Sequence, residues 1–512
     1  MPYSAPMARR SAVRSAAQRL FACLLLAATG CGGTANLTAA GGEAARAEHA
    51  TQPATYAALA ASAVSVLEHG YYAGAGLWNM CLPARCHRKN FDWGADSLTY
   101  ALYLHWQLTH DRRVRPIMRA LARTAARYGP AGYGWSDVPE WDAIADIREY
   151  QVTGDPAALA KAKAAFAVVD RTAGFASGAC PSVDYQRPNG GPDRLKTLET
   201  DSNYIKAALL LYQVTRDPAY LAKAESKYAA VRIYFLGAGY PLYTVYVFDN
   251  GSRCARLPHR YYASVNGNMI WAGVELAAAT GQQGYLVEAE ATARSVVAAM
   301  GDARGVYADL QAENDVSEPL VEAMYLLATA DHQLFARRWL LRAASAAAAD
   351  RTGLGTYGRF FDGPPPRSPV TAWQGNGGLA LMIAAAKLDP LGRPADPDYW
   401  RRAVFVSDNQ RLRAGGAVRV TFTGRAIAII GTIGELCCQP GHARLFIDGT
   451  QSFDRSGIWQ DKSSSGLWLP GSVLFAWRWA TRGRHVITVR PARFNAKEGG
   501  TFFHMTGYLL VR

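Results

Sequence analysis

The chain has 10 histidines and 8 cysteines in 512 residues, yet no CxxC pair and no paired histidines, so it lacks a recognisable zinc framework. Long apolar runs are missing too: the run 20–28 is too short to cross a bilayer as a helix. No nucleic-acid-binding motif is present. The excess of 55 Lys+Arg over 41 Asp+Glu is dispersed arginine, which suits an anionic surface or glycan as neighbour. With 19% charged and 50% apolar residues, disorder is excluded as the default and there is core enough for two domains.

The first residues read as an export signal. Arg9, Arg10, Arg14 and Arg19 precede the apolar run, and Thr29-Gly30 lead to Cys31. The stretch Ala28-Thr29-Gly30-Cys31 is similar to a bacterial lipobox, with alanine where leucine is usual; membrane attachment through a lipidated Cys31 and ordinary cleavage nearby both stay open. Residues 1–31 are therefore the signal and 32–53, rich in Gly and Ala, a tether. Losing the four signal arginines lowers the formal charge from +14 to about +10. Export permits disulfides: Cys81 with Cys86, and Cys180 with Cys254 if their loops share a rim, are candidate pairs, and Cys437-Cys438 stays open between a vicinal bridge and two thiols.

Residues 54–388 carry helical apolar spacing dominated by Ala and Leu. Twelve segments are predicted, at 55–69, 95–109, 112–128, 139–153, 156–172, 201–216, 218–235, 263–280, 284–300, 317–330, 334–349 and 371–388. A short repeat pairs them. Thr153-Gly154-Asp155-Pro156 returns as Thr215-Arg216-Asp217-Pro218, and more loosely near Thr109 and Thr280; Asp caps the new helix and Pro suits its first position. Six hairpins close naturally into an (α/α)6 barrel. After a linker at 389–398, residues 399–512 alternate as short strands do and predict an all-β sandwich, jelly-roll-like.

Every second helix of such an array starts at one rim, and each of these starts carries acids, amides or aromatics. The clusters are Asp92-Trp93-Asp96, Trp135-Asp137-Glu140-Trp141-Asp142, Glu199-Asp201-Asn203, Tyr262-Asn266-Asn268, Glu313-Asp315-Glu318 and Trp373-Gln374-Asn376. Acids and tryptophans converging on one rim suit glycosidic-bond cleavage, which uses two carboxyl groups flanking the anomeric carbon. Amides offer donor and acceptor to a vicinal diol. Each acid also has a structural explanation, since Asp96, Asp201 and Asp315 suit helix caps, and Asp137-Val138-Pro139-Glu140 reads as a capping box.

The segment Gly134-Trp135-Ser136-Asp137-Val138-Pro139-Glu140-Trp141-Asp142 resembles glycoside hydrolase family 76, the endo-α-1,6-mannanases, in which an Asp-Asp pair precedes a Trp-Trp. The resemblance spans most of 55–388 and implies an (α/α)6 barrel, retaining hydrolysis of α-mannosides, no cofactor and no metal. It sets Asp137 on the nucleophile and Val138 on the acid/base, so Glu140 or Asp142, or else Asp96 or Asp201, must supply the proton. Substrate contacts fall to Trp93, Asp96, Trp135, Trp141, Asp201, Asn203, Tyr262, Asn266, Asn268, Asp315, Trp373 and Gln374. The partner is a polysaccharide or oligosaccharide, not nucleic acid, and the oligomeric state is open. The strand segments resemble jelly-roll modules appended to bacterial glycosidases, and residues 399–512 are expected to bind carbohydrate or brace the barrel. Two rivals stand beside this reading: a glycan-binding envelope lipoprotein that does not cleave, favoured by Val138, and an unsaturated-uronide hydrolase, for which one carboxyl group suffices.

Overall fold

The computed structural model describes residues 53–512 except 85–88, 91–92, 126–134, 173–174, 188–189, 192–193, 238–240, 258–259, 309–315, 414, 434–441, 452–457, 460–468 and 492–502. Twelve α-helices fall where the apolar periodicity places them: α1 Tyr56–Ser65, α2 Trp93–Thr109, α3 Val114–Ala125, α4 Val138–Thr153, α5 Pro156–Arg171, α6 Leu198–Thr215, α7 Pro218–Phe235, α8 Ala263–Thr280, α9 Gln283–Ala299, α10 Glu318–Thr329, α11 Leu334–Ala347 and α12 Ala372–Leu388. The even-numbered helices pack in sequence, α2 on α4 through to α12, and α12 packs back on α2. That closes an inner ring, and the odd-numbered helices lie outside it as the second layer of an (α/α)6 barrel.

The recurrent Thr turn joins inner helices to the next outer ones, and its chemistry repeats atom for atom. Thr109, Thr153, Thr215 and Thr280 each donate their hydroxyl to the carbonyl four residues back, at 2.7–2.8 Å, and accept the amide two residues on, at 3.1–3.2 Å. Asp155 and Asp217 then cap the next helix by accepting the Ala157 and Ala219 amides at 3.0 Å. Because these turns occupy one end, the inner helices all begin at the other. Side-chain volume at the seams is small: a Cβ on Gly267 of α8 would stand 2.4 Å from the Leu320 amide nitrogen, so glycine there permits α8 and α10 to approach.

The β region begins at Val404. Its longer strands are β1 Val404–Leu412, β2 Val418–Ile433, β3 His442–Ile447, β4 Leu469–Pro491 and β5 Phe503–Val511. All pairings are antiparallel, in the order β3-β4-β2-β5-β1, with two short strands on β3. The halves of β2 and β4 fold over a shared core of Val420, Phe422, Ile427, Ile429, Phe475, Ile487 and Val489. The opposite face, with Ala426, Ala428, Ile430 and Val473, packs on Phe360, Tyr399 and Trp400. Asp362 ties that junction by accepting from Arg304 at 2.9 Å and pairing with Arg478. The linker packs back on α1, its Gly392 carbonyl accepting the Tyr56 amide at 2.9 Å.

Candidate active site at the mouth of the barrel

Helix α4 decides which acids face the axis. Residues turn by about 100° each, so Asp137, Trp141 and Arg148 share one face while Asp142 stands about 140° away from Asp137. The contacts agree. Trp141 lies 5.8 Å from Tyr100 of α2, and the Arg148 guanidinium sits 3.7 Å over the same ring. Asp137, just before the helix, keeps helical dihedrals (φ −79°, ψ −26°) and makes no side-chain capping bond. Glu140 does not complete a capping box either; neither of its carboxyl oxygens has a hydrogen-bond partner among the described residues. The carboxyl group of Asp137 is thus left for other work. It is half-buried, and burial pushes its pKa up to about 6.

On α6 the two acids differ in burial, Glu199 half-buried and Asp201 fully buried. Glu199 lies in line with Asn203 and Lys206, at spacings of four and three, and remains half-buried at the mouth. Its charge and that of Asp137 act on one buried phenol: burial and then Glu199 drive the Tyr246 pKa up, Asp137 adds to the rise, and Arg260 and a hydrogen bond to Tyr262 oppose it. Tyr246 therefore senses the charge of carboxyl groups from two helix starts, Glu199 more than Asp137. The rings of that pair are 6.3 Å apart and edge-on. Nothing in the sequence distinguishes Glu199 from Asp201 except the polar stripe it forms with Asn203 and Lys206 on a helix otherwise rich in Leu and Ala.

The aromatic wall comes from three helix starts. Trp93 stands 5.4 Å from Trp373 and 6.3 Å from Trp141. Trp141 and Trp373 are buried and back the wall, whereas Trp93 is only partly covered. Below them the axis is filled by charge. Arg148 donates to Glu322 at 2.6 Å, Lys206 to the other Glu322 oxygen at 2.5 Å and to Asn268 at 3.1 Å, and Asn268 to Asn203 at 2.7 Å. The chain spans α4, α10, α6 and α8, so it can only lie on the axis. Burial lowers the Lys206 pKa to about 8; burial raises that of Glu322, but Arg148 and Lys206 overcome this and hold it below the ordinary range.

Several expected site residues are corrected by this geometry. Asp201 accepts the Asp184 amide at 3.2 Å and pairs with Lys227 of outer helix α7 at 3.1 Å, so it lies between the two layers. Glu140 is fully buried beside the same group, and burial, then Asp184, raise its pKa well above the usual range; substrate cannot reach it. Asp142 is buried near Asp146, whose pKa burial and then Asp142 raise while Lys161 of α5 opposes the rise. Asn266 is consumed by backbone, exchanging two bonds with Tyr243 at 3.0 Å and donating to the Tyr262 carbonyl at 2.9 Å. Asn203 and Asn268 belong to the buried axial chain. Gln374 lines a cavity of about 20 Å³ between the 350–370 segment and the β region, with Asp350, Arg359 and Ser472.

The remaining candidates lie as follows. Tyr262 is wall, and Asp96 is buried on the first turn of α2 beside Trp93. Trp135 is exposed at the rim with the Arg187 guanidinium 4.1 Å over its ring. Asp315 lies outside the described residues. The bridge expected between Cys180 and Cys254 is formed, joining two rim loops, while Cys86, Cys437 and Cys438 lie outside the described residues. At the opposite end of the barrel a cavity of about 250 Å³ lies among Tyr212, Gln213, Arg216 and Glu275, away from the mouth.

No protein-family model matches the chain, and no curated protein does. Solved structures do. A glycoside hydrolase family 76 α-1,6-mannanase from a Salegentibacter species superposes with a TM-score of 0.58 at 21% identity, over 65% of this chain and 99% of that one. An inactive variant of that enzyme, with two adjacent aspartates replaced by alanine and α-1,6-mannotetrose bound, matches with the same TM-score and identity over 65% and 100%. A family 76 α-mannanase from Bacteroides thetaiotaomicron gives 0.55 at 16% identity, over 65% and 96%. At these identities the likeness establishes a shared barrel fold, that of family 76.

Proposed function

We propose that the chain is a glycoside hydrolase acting on α-linked mannose-containing glycans by a retaining mechanism, with Asp137 and Glu199 as its two carboxyl groups. The observation that carries this reading is Asp137 itself: it sits at the barrel mouth, makes no capping bond, and is desolvated rather than ion-paired. The structural neighbours bind α-1,6-mannotetrose and α-1,6-mannotriose as inactive variants, which supports the substrate class. A carboxyl group whose pKa is raised to about 6 holds its proton better than an ordinary aspartate, and the group that holds a proton suits the leaving oxygen. Asp137 is accordingly the proton donor and Glu199 the nucleophile. This reverses the role that the sequence resemblance gave Asp137, and it supplies the second carboxyl group that Val138 does not. The leader-like segment and the Cys180–Cys254 bridge support an exported protein.

The test uses α-1,6-mannooligosaccharides and an α-mannobioside bearing a good phenol leaving group. Asp137→Asn should lose at least about 10³-fold in kcat/KM on the oligosaccharides and recover much of the first step on the phenol substrate, which needs no proton donor. Glu199→Gln should fail on both, since an amide cannot form the glycosyl-enzyme. Failure of Asp137→Asn on both substrates would return the nucleophile role to Asp137. A wild type that binds the oligosaccharides and cleaves none favours the glycan-binding reading, for which Val138 in place of an acid is the supporting observation.

A further inference from the structure

Trp135 and Arg187 form a pair that neither the catalytic carboxyl groups nor the aromatic wall explains. Trp135 is 39% exposed, two residues before Asp137, and the Arg187 guanidinium lies 4.1 Å over its ring. A guanidinium held over an indole engages the ring face and can still donate from its outer Nη groups. The Arg187 Nε is buried with no hydrogen-bond partner among the described residues, while the arginine as a whole stays half-exposed. An exposed indole and an arginine held together could be accidental on a loose loop, but this loop is braced. The Ser136 amide donates to the Gln186 carbonyl at 3.0 Å, the Ser136 hydroxyl donates to the Tyr185 carbonyl at 2.6 Å, and the Gln186 amide donates to the Leu195 carbonyl at 2.9 Å. Thus the residues flanking both Trp135 and Arg187 are pinned to each other and to the strand that leads into α6. The Cys180–Cys254 bridge ties the same loop to its neighbour.

We propose that Trp135 and Arg187 form a subsite for an anionic sugar unit of the substrate, a residue bearing a phosphate, sulfate or carboxylate group next to the bond that is cut. The proposal rests on the hydrolase reading for the neighbouring bond, and it names the class of substrate that reading leaves open. The two outer Nη groups of a planar guanidinium match an oxyanion in two parallel hydrogen bonds, a geometry an ammonium cannot reproduce. The indole beneath fixes the fork and excludes water from one side. The basic balance of the whole chain, 55 Lys+Arg against 41 Asp+Glu, favours the approach of such a glycan.

Binding and turnover separate the two ideas. Calorimetric titration of the full chain with α-1,6-mannotriose and with the same trisaccharide carrying one phosphate monoester gives a ratio of affinities, read without any cleavage. The ratio should favour the phosphorylated sugar by about tenfold and shrink as salt rises. Arg187→Gln should collapse it to near one, and Arg187→Lys should restore part. Arg294→Gln is the matched control, removing an arginine stacked 3.9 Å over Phe335 on the outer helix α9, and should keep the ratio. A uronate-bearing trisaccharide distinguishes carboxylate from phosphate recognition. Equal affinities for charged and neutral sugars in the wild type, or a preference surviving Arg187→Gln, would overturn the subsite. Absence of cleavage with the ratio intact would instead remove the hydrolase reading and leave the subsite standing.

Discussion

The mouth of the barrel and its middle are built from the same kinds of residue and behave differently. In the middle, Arg148 and Lys206 share the two oxygens of Glu322, and Asn268 links Lys206 to Asn203. At the mouth, about two to three turns higher on α4 and α6, Asp137 makes no capping bond and Glu199 is half-buried, and at the start of α2 Trp93 is only partly covered. Acid, amide and aromatic composition does not separate the regions. What separates them is whether a group's bonding capacity is already used: paired charges hold the inner ring together, whereas a desolvated carboxyl group without a cation is ready for proton transfer.

The strongest way to break that comparison is Glu322→Gln. Removing the shared anion leaves Arg148 and Lys206 buried with one neutral acceptor, which should cost about 3–5 kcal/mol in unfolding free energy. Urea unfolding at pH 7 measures it. A variant that keeps its stability and loses turnover would move the axial chain from scaffold to site.

Asp137→Asn sharpens the contrast in the opposite direction, because a site group is expected to cost stability. The folded pKa is raised to about 6 from 3.8, so wild-type stability is undiminished while both states are protonated below about pH 3.8. It falls as pH rises through the interval, since the unfolded chain ionises first, and levels off above about 6 at a loss of up to about 3 kcal/mol. The Asn variant escapes that loss. It should match the wild type near pH 3.5 and exceed it by up to about 3 kcal/mol at pH 7–8. No gain at high pH would mean that Asp137 is as well solvated in the folded state as in the unfolded chain.

How far the sequence could be read follows from what is local. The Thr-x-Asp-Pro turns satisfy their own bonds within nine residues, and the Leu/Ala spacing runs the length of each helix, so helix number, order and the shared rim were legible. Azimuth was not. Glu199 and Asp201 are two residues apart, but only the first joins the Asn203–Lys206 stripe; Asn266 and Asn268 divide the same way, one bonding backbone and the other the axial chain. A stripe at spacings of three and four would have selected Glu199. No local pattern could have placed Gln374, whose cavity is made by the 350–370 segment and the β region together.

The smallest expected effect is the most discriminating for the corrected site. Glu140 lies about 60° around α4 from Asp137 and was a candidate proton donor by sequence. It is fully buried, neither oxygen has a hydrogen-bond partner among the described residues, and burial followed by Asp184 raises its pKa well above the usual range. Both causes favour its neutral form, for which glutamine is close in shape and equal in charge. Glu140→Gln should change unfolding free energy by less than about 1 kcal/mol and leave kcat/KM on α-1,6-mannooligosaccharides unaltered between pH 6 and 8. A proton donor could not be replaced so cheaply, because an amide has no proton of suitable acidity to give the leaving oxygen. A loss of about 100-fold in kcat/KM with the fold intact would restore Glu140 to the site and show that the mouth opens between α4 and α6 during turnover.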